Sequence, residues 1–149
     1  VINDAFSPDL NLPQKGFDCL VFNDVLEHLP DPWAALTYSK ELLKDGGIVV
    51  ASIPNVRYFN NAWEFLVKKN WEYADWGILD KTHLRFFTQK SILSLFEGLG
   101  YQVESIVGIN SLNVLHPQHV RKFKVLNKLL LNNIEDMNYL QFAVVARLN

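Results

Sequence analysis

Asp24, Glu27 and His28 lie within five consecutive positions, and His83 and Arg85 flank Leu84 further along the chain. If the chain turns helical after residue 23, two carboxylates and an imidazole converge, because side chains three and four positions apart share a helix face. Such a set suits proton transfer. It also suits a divalent cation such as Mg, Mn or Zn, which would lower the pKa of a neighbouring hydroxyl. Of these, a Glu27–His28 pair that orders its loop and serves proton transfer is the preferred reading, and a metal the less favoured one. His83 is a candidate general base, since imidazole titrates near neutrality; the structural alternative pairs it with Glu27 or Asp80. Arg85 can clamp a phosphate or carboxylate, or else cap a helix end. His116 and His119 are expected to be exposed.

Residues 58–76 hold seven aromatics, among them Tyr58, Trp63 and Trp71. Aromatic faces stack on rings and shield a reacting centre from water. A helix packing its core side accounts for some of them. The excess favours a substrate lid over 58–88, with Asn55, Tyr58, Trp63, Trp71 and Arg85 as substrate-binding candidates.

These groups need a scaffold, and two apolar runs supply it. Residues 17–22 and 47–53 read as strands buried on both faces, as in a parallel sheet. One helix-length segment joins them into a βαβ unit: Asp31 is its N-cap, Pro32 its first residue and Asp45-Gly46-Gly47 its end. Trp33, Leu36 and Leu43 mark its inner face. Ligands in open α/β sheets collect beyond the carboxyl ends of the strands, which here carry Asn23, Asp24, Glu27, His28 and Asn55. Further helices are expected over 58–69 (Trp63, Leu66 and Val67 inward), 89–98 (Thr88 as N-cap; Ile92, Leu95 and Phe96 inward) and 117–131 (Val120, Phe123, Leu126, Leu129 and Leu130 inward). Further strands are expected over 101–109 and 139–147, the last a candidate antiparallel partner at the sheet edge.

The 149 residues are 49% hydrophobic and 20% charged, as in a globular domain with one core. A net charge of -2 gives no electrostatic case for nucleic acid. The single cysteine, Cys19, reads as a small core residue, and one cysteine fits a reducing, cytoplasmic setting. No apolar run approaches the ~20 residues that span a membrane.

The segment from Phe17-Asp18 through Glu27-His28-Leu29-Pro30-Asp31-Pro32, then Leu43-Lys44-Asp45-Gly46-Gly47 and Ser52-Ile53-Pro54-Asn55, resembles the second half of a class I S-adenosylmethionine-dependent methyltransferase. The resemblance continues through Thr82-His83-Leu84-Arg85-Phe86-Phe87-Thr88, a segment similar to a group associated with sugar and cell-envelope biosynthesis. It implies an α/β Rossmann-like fold with helices on both faces, supplying strands 4, 5, 6 and 7 of a 3-2-1-4-5-7-6 sheet, the last antiparallel. Asp4 and Ala5 match the family's adenine-binding pair. Asn23 and Asp24 match the turn beside the methionine part of the cofactor, with an Asx turn as the structural alternative. Some ubiquinone-type members resemble Asp24-x-x-Glu27-His28 in a metal-holding motif. The family's Gly-rich cofactor loop has no match: the lone G-x-G, Gly98-Leu99-Gly100, follows a helix and precedes a strand, the reverse of what a cofactor loop needs.

The expectation is a single domain over 1–149 forming the C-terminal half of such an enzyme. Residues 1–16 would be a leftover loop and 110–136 a variable insertion. The implied cofactor is S-adenosylmethionine, and the implied reaction an O-methylation of a sugar or related small metabolite. The alternative is a non-catalytic module that binds a partner, or dimerises through a free sheet edge. A dehydrogenase is disfavoured by the E-H-L-P-D-P and L-x-x-G-G spacing.

Overall fold

A computed structural model describes residues 12–148; Asp4 and Ala5 lie outside them. Four strands form one sheet: β1 (Phe17–Asn23), β2 (Leu43–Pro54), β3 (Tyr101–Ser111) and β4 (Tyr139–Leu148), in the order β1-β2-β4-β3. β1 and β2 run parallel, joined through α1 (Pro32–Leu42), while β4 is antiparallel to both β2 and β3. The order is the 4-5-7-6 segment expected from the family. The last strand is therefore not at the edge: β4 is hydrogen-bonded on both sides, and β3 is the outer strand.

Local chemistry explains the elements. The Asp31 carboxylate accepts from the Ala34 N–H at 2.9 Å and starts α1, with Pro32 pre-set for the first turn. Thr88 and Ser91 cap α3 (Gln89–Gly98) reciprocally. The Tyr101 hydroxyl, at the start of β3, donates to the buried Leu36 carbonyl at 2.8 Å and ties the sheet to α1. Gly108 on β3 leaves room for an aromatic ring: a Cβ there would lie 2.2 Å from the Tyr139 ring, so only glycine fits beneath that side chain.

One sheet face carries the main core. Val49, Ala51 and Ile53 of β2 and Phe142, Val144 and Ala146 of β4 pack with Leu36 of α1 and Ile92, Leu95 and Phe96 of α3. Each large aliphatic or aromatic buried there contributes about 1.5–3 kcal/mol. The opposite face, with Ile48, Val50, Ala143 and Val145, is only half-buried. The strands are thus not buried on both faces within the described residues. Cys19 is exposed, not core, because β1 has a described neighbour on one side only and buries Phe22 alone. Trp33 also faces outward, leaving Ala35, Leu36 and Leu42 to fill the inner side of α1.

A second cluster sits beyond the strand ends. Tyr58 and Phe59 at the start of α2 (Phe59–Leu66) pack with Leu112 of α4 (Leu112–Leu115), Phe123 of α5 (Val120–Leu129), Ile134 and Met137. Trp63 and Val120 are partly buried against it. Leu66, Val67, Leu126, Leu129 and Leu130, expected inward, are exposed: Phe59 and Phe123 fill the small core between the helices and leave the rest of each apolar stripe uncovered. His116 and His119 are half-buried rather than exposed, since both rings pack into this cluster.

Candidate functional site

The site forms where the chain leaves β1. Asp24 takes a left-handed conformation (φ 52°), which aspartate tolerates better than most residues, and its N–H donates to the Ser52 carbonyl at 3.1 Å. That bend turns Leu26–His28 into one 3-10 turn and drives the Glu27 side chain inward. The 80–85 segment covers it: the N–H groups of Leu84 and Arg85 donate to the Glu27 carbonyl at 2.8 and 3.0 Å.

Glu27 is 1% exposed, and neither carboxylate oxygen has a hydrogen-bond partner. Burial pushes its pKa up to about 7; the nearness of its own backbone N–H, short of a formed hydrogen bond, opposes the rise, and the Asp24 charge adds a little to it. His83 faces it, Nε2 to Oε1 4.0 Å, a gap too long for a direct hydrogen bond and short enough for one water or hydroxyl to bridge. The other ring nitrogen, Nδ1, lies 2.9 Å from the Ile78 carbonyl, so it carries the proton and leaves Nε2 free to accept one. The His28 ring packs edge-on against His83 with centroids 4.6 Å apart, and its Nδ1 lies 3.2 Å from the Thr82 carbonyl. Asp80 organises the segment: its carboxylate accepts from the Thr82 hydroxyl at 2.6 Å and the Thr82 N–H at 2.7 Å, which holds its pKa below the usual range.

Glu27, His28 and His83 thus meet, with one ligand atom from each within 4.8 Å of the others. The spacing would accommodate a divalent cation, and equally a buried acid–base pair. His83 belongs with Glu27 rather than with Asp80, whose side chain turns to Thr82.

The other predicted residues are placed differently. Asn23 ends β1 exposed. The Asp24 carboxylate accepts from the Gln141 amide at 2.5 Å. Asn55 is fully buried, and both amide hydrogens go to backbone carbonyls, Asp136 at 2.9 Å and Tyr139 at 3.0 Å, so its side chain pins the end of β2 to the turn before β4. The Tyr58 hydroxyl, its pKa pushed up to about 12 by burial, bonds His116 Nδ1 at 2.8 Å. Trp63 lies under Lys122, whose Nζ is 4.5 Å from the ring centroid. Trp71 packs edge-on between Phe65 and Phe86, at 5.4 and 5.7 Å. Arg85 hydrogen-bonds the Leu84 and Pro30 carbonyls. A cleft of about 470 Å³ opens beside this group, lined by Tyr58, Asn61, Glu64, Trp76, Ile78 and His116. Neither Glu27 nor His83 lines it, but Ile78 does, and its carbonyl holds the His83 ring. Gln141 and Ile78 gave no sequence signal: one comes from a strand 117 positions beyond Asp24, and the other acts through its backbone.

A four-strand sheet of this order, with acidic and imidazole groups at the carboxyl end of its parallel pair, defines half of a Rossmann-like methyltransferase fold. Residues 2–106 match the family described as "Methyltransferase domain", and the chain belongs to that family. A 47-residue stretch, 32% of this chain, is 45% identical to 19% of a ubiquinone biosynthesis O-methyltransferase of Cereibacter sphaeroides. The fold is similar to that of a SAM-dependent methyltransferase from Thermotoga maritima (TM-score 0.59, 17% identity, 94% of this chain against 60% of that one). It is also similar to one from Archaeoglobus fulgidus (TM-score 0.54, 21% identity, 91% against 61%). The chain therefore spans about 60% of the length of these structures and 19% of the curated relative.

Proposed function

We propose that this chain forms the acceptor side of an S-adenosylmethionine-dependent methyltransferase that methylates an oxygen of a small molecule, a sugar or related metabolite. The observation that carries the reading is the buried, unpartnered Glu27 carboxylate facing His83 Nε2 across 4.0 Å. A hydroxyl seated in that gap would give its proton to Nε2, with Glu27 stabilising the imidazolium that forms. His28 and the Ile78 carbonyl fix the ring.

The cofactor, when bound, supplies an electrophilic methyl group on sulfur. Asn23 and Asp24 fit the ammonium of its methionine end: both lie exposed at the strand exit, and Gln141 engages only one Asp24 oxygen, leaving the other to accept. The proton ends on the His83–Glu27 pair. The residues' remaining contribution is positioning and water exclusion, with Trp71, Phe65 and Phe86 walling one side of the lid.

Calorimetric titration with S-adenosylhomocysteine tests the reading, using the 149-residue chain and the same chain carrying the residues encoded upstream. Binding by the longer form, lost on Asp24→Ala, is the expected result. Binding by neither form would overturn the assignment and favour the non-catalytic module. Dialysis against a chelator should leave methyl transfer unchanged; loss restored by Mn would reassign Glu27, His28 and His83 as ligands.

A further inference from the structure

Apart from Phe65 and Trp71, one large apolar surface takes no part in the chemistry above. The C-terminal end of α2, the outer side of α5 and the turn that follows it expose apolar side chains: Leu66 (71% exposed), Leu129 (73%) and Leu131 (83%), with Phe65, Leu126 and Leu130 also exposed. The two elements are neighbours. Phe59 and Phe123 pack edge-on at 5.4 Å beneath them, and Phe65, Leu66, Trp71, Leu126 and Leu130 line one open cleft of about 460 Å³ between them. Leu126, Leu129 and Leu130 follow helical spacing, so the stripe is a real helix face and not scattered exposure. Leu131 sits at φ 53°, a conformation leucine adopts at some cost, and is the most exposed of the set.

The charge along α5 itself is basic. Residues 118–134 contain Arg121, Lys122, Lys124 and Lys128 and no acid, with Glu135 and Asp136 next in the chain; Lys69 follows α2, while Lys68 pairs with Glu64 at 2.8 Å. The chain as a whole carries a net charge of -2, so this basic character is local.

We infer that this face docks on an anionic lipid bilayer, with the leucines entering the interfacial region and the lysines meeting headgroup phosphates. Lysine is depleted where proteins meet proteins. At a bilayer, by contrast, long basic side chains flank an apolar stripe favourably, because the stems lie along apolar surface while the ammonium groups reach the phosphates. Trp71, at the margin of the set, suits the headgroup level. Among the described residues no helix is long and apolar enough to cross a membrane; the contact proposed is with the bilayer surface. It would bring the cleft beside α2 close to the lipid surface, which suits an acceptor carried on a lipid; the docking itself does not depend on the proposed chemistry.

The test is cosedimentation of the 149-residue chain with vesicles of phosphatidylcholine alone and of phosphatidylcholine mixed with phosphatidylglycerol. Binding should favour the mixed vesicles and weaken as salt is raised. Leu129→Asp with Leu131→Asp should weaken it at least about tenfold, and Arg121→Gln with Lys128→Gln about tenfold. All four positions are exposed, so folding is expected to survive and is checked by circular dichroism. Val107→Asp, at an exposed apolar position on β3, should bind as the parent does. Equal binding by the leucine variant, or binding to neither vesicle, would overturn the inference. Absent vesicle binding with a self-association that Leu129→Asp abolishes would overturn it in favour of a second copy of the chain.

Discussion

Replacing Glu27 by glutamine isolates the electrostatic cost of the buried carboxyl. In the folded chain its pKa is raised from 4.5 to about 7, and the largest cause is burial. Below about pH 4.5 the group is protonated whether the chain is folded or not, and the raised pKa has no effect on stability. Between 4.5 and about 7 the unfolded chain loses the proton while the folded one retains it, so stability falls as pH rises. Above about 7 both forms are ionised and the penalty is constant. The gap corresponds to about 3 kcal/mol at its limit. Glutamine cannot ionise, and its amide is buried without partners at every pH, adding a cost of about 1–3 kcal/mol that does not vary with pH. The diagnostic is therefore the difference between parent and Glu27→Gln, followed by urea unfolding from pH 4.5 to 8. That difference should move in favour of the variant by about 3 kcal/mol across the interval and level off near pH 7. A difference that stays constant with pH would refute the account of Glu27 as a buried, unpaired acid. A difference moving the other way would mean that the carboxylate is ionised and paired in the folded chain.

Two further substitutions separate chemistry from architecture. His83→Asn should lower kcat of the active enzyme by about 10²–10⁴ and remove the acidic limb of the pH–rate profile, with KM little changed; an unchanged profile would leave His83 a purely structural ring. Asn55→Ala should destabilise the fold by about 2–5 kcal/mol, measured as a lowered urea midpoint, because it strands the Asp136 and Tyr139 carbonyls that the amide satisfies.

The local signals in the sequence were strong wherever a few adjacent residues settle the outcome. Asp31-Pro32 and Thr88 start their helices as capping chemistry dictates, and Gly100 (φ 80°) ends α3 because the chain must turn left-handed there. Apolar runs marked β1 and β2, and all four strands fell where strands were expected. The family resemblance, from Phe17-Asp18 to Phe87-Thr88, carried the sheet order that periodicity alone misplaced. Alternation reports which face of a strand is buried but not which strands lie beside it, so β4 read by itself looked like an edge.

Glu27 and His28 were legible because they share one turn, and His83 because its residue type suits the chemistry. That His83 faces Glu27 rather than Asp80 was not legible, since it depends on two backbone N–H groups folding residues 80–85 over a turn more than fifty positions earlier. The same holds for Asn55: nothing in its neighbours shows that both amide hydrogens are used by carbonyls from the turn before β4. The helix stripes of α2 and α5 tell a similar story, because spacing shows that leucines share a face but not whether anything covers it. By itself the sequence determined the elements and their caps, through short-range sterics and periodicity, and the residue types available for chemistry, while the family came from the resemblance of its motifs. Tertiary structure alone decided which groups are dry, which are paired and which lie open, because desolvation and hydrogen-bond satisfaction depend on segments that meet only when the chain is folded.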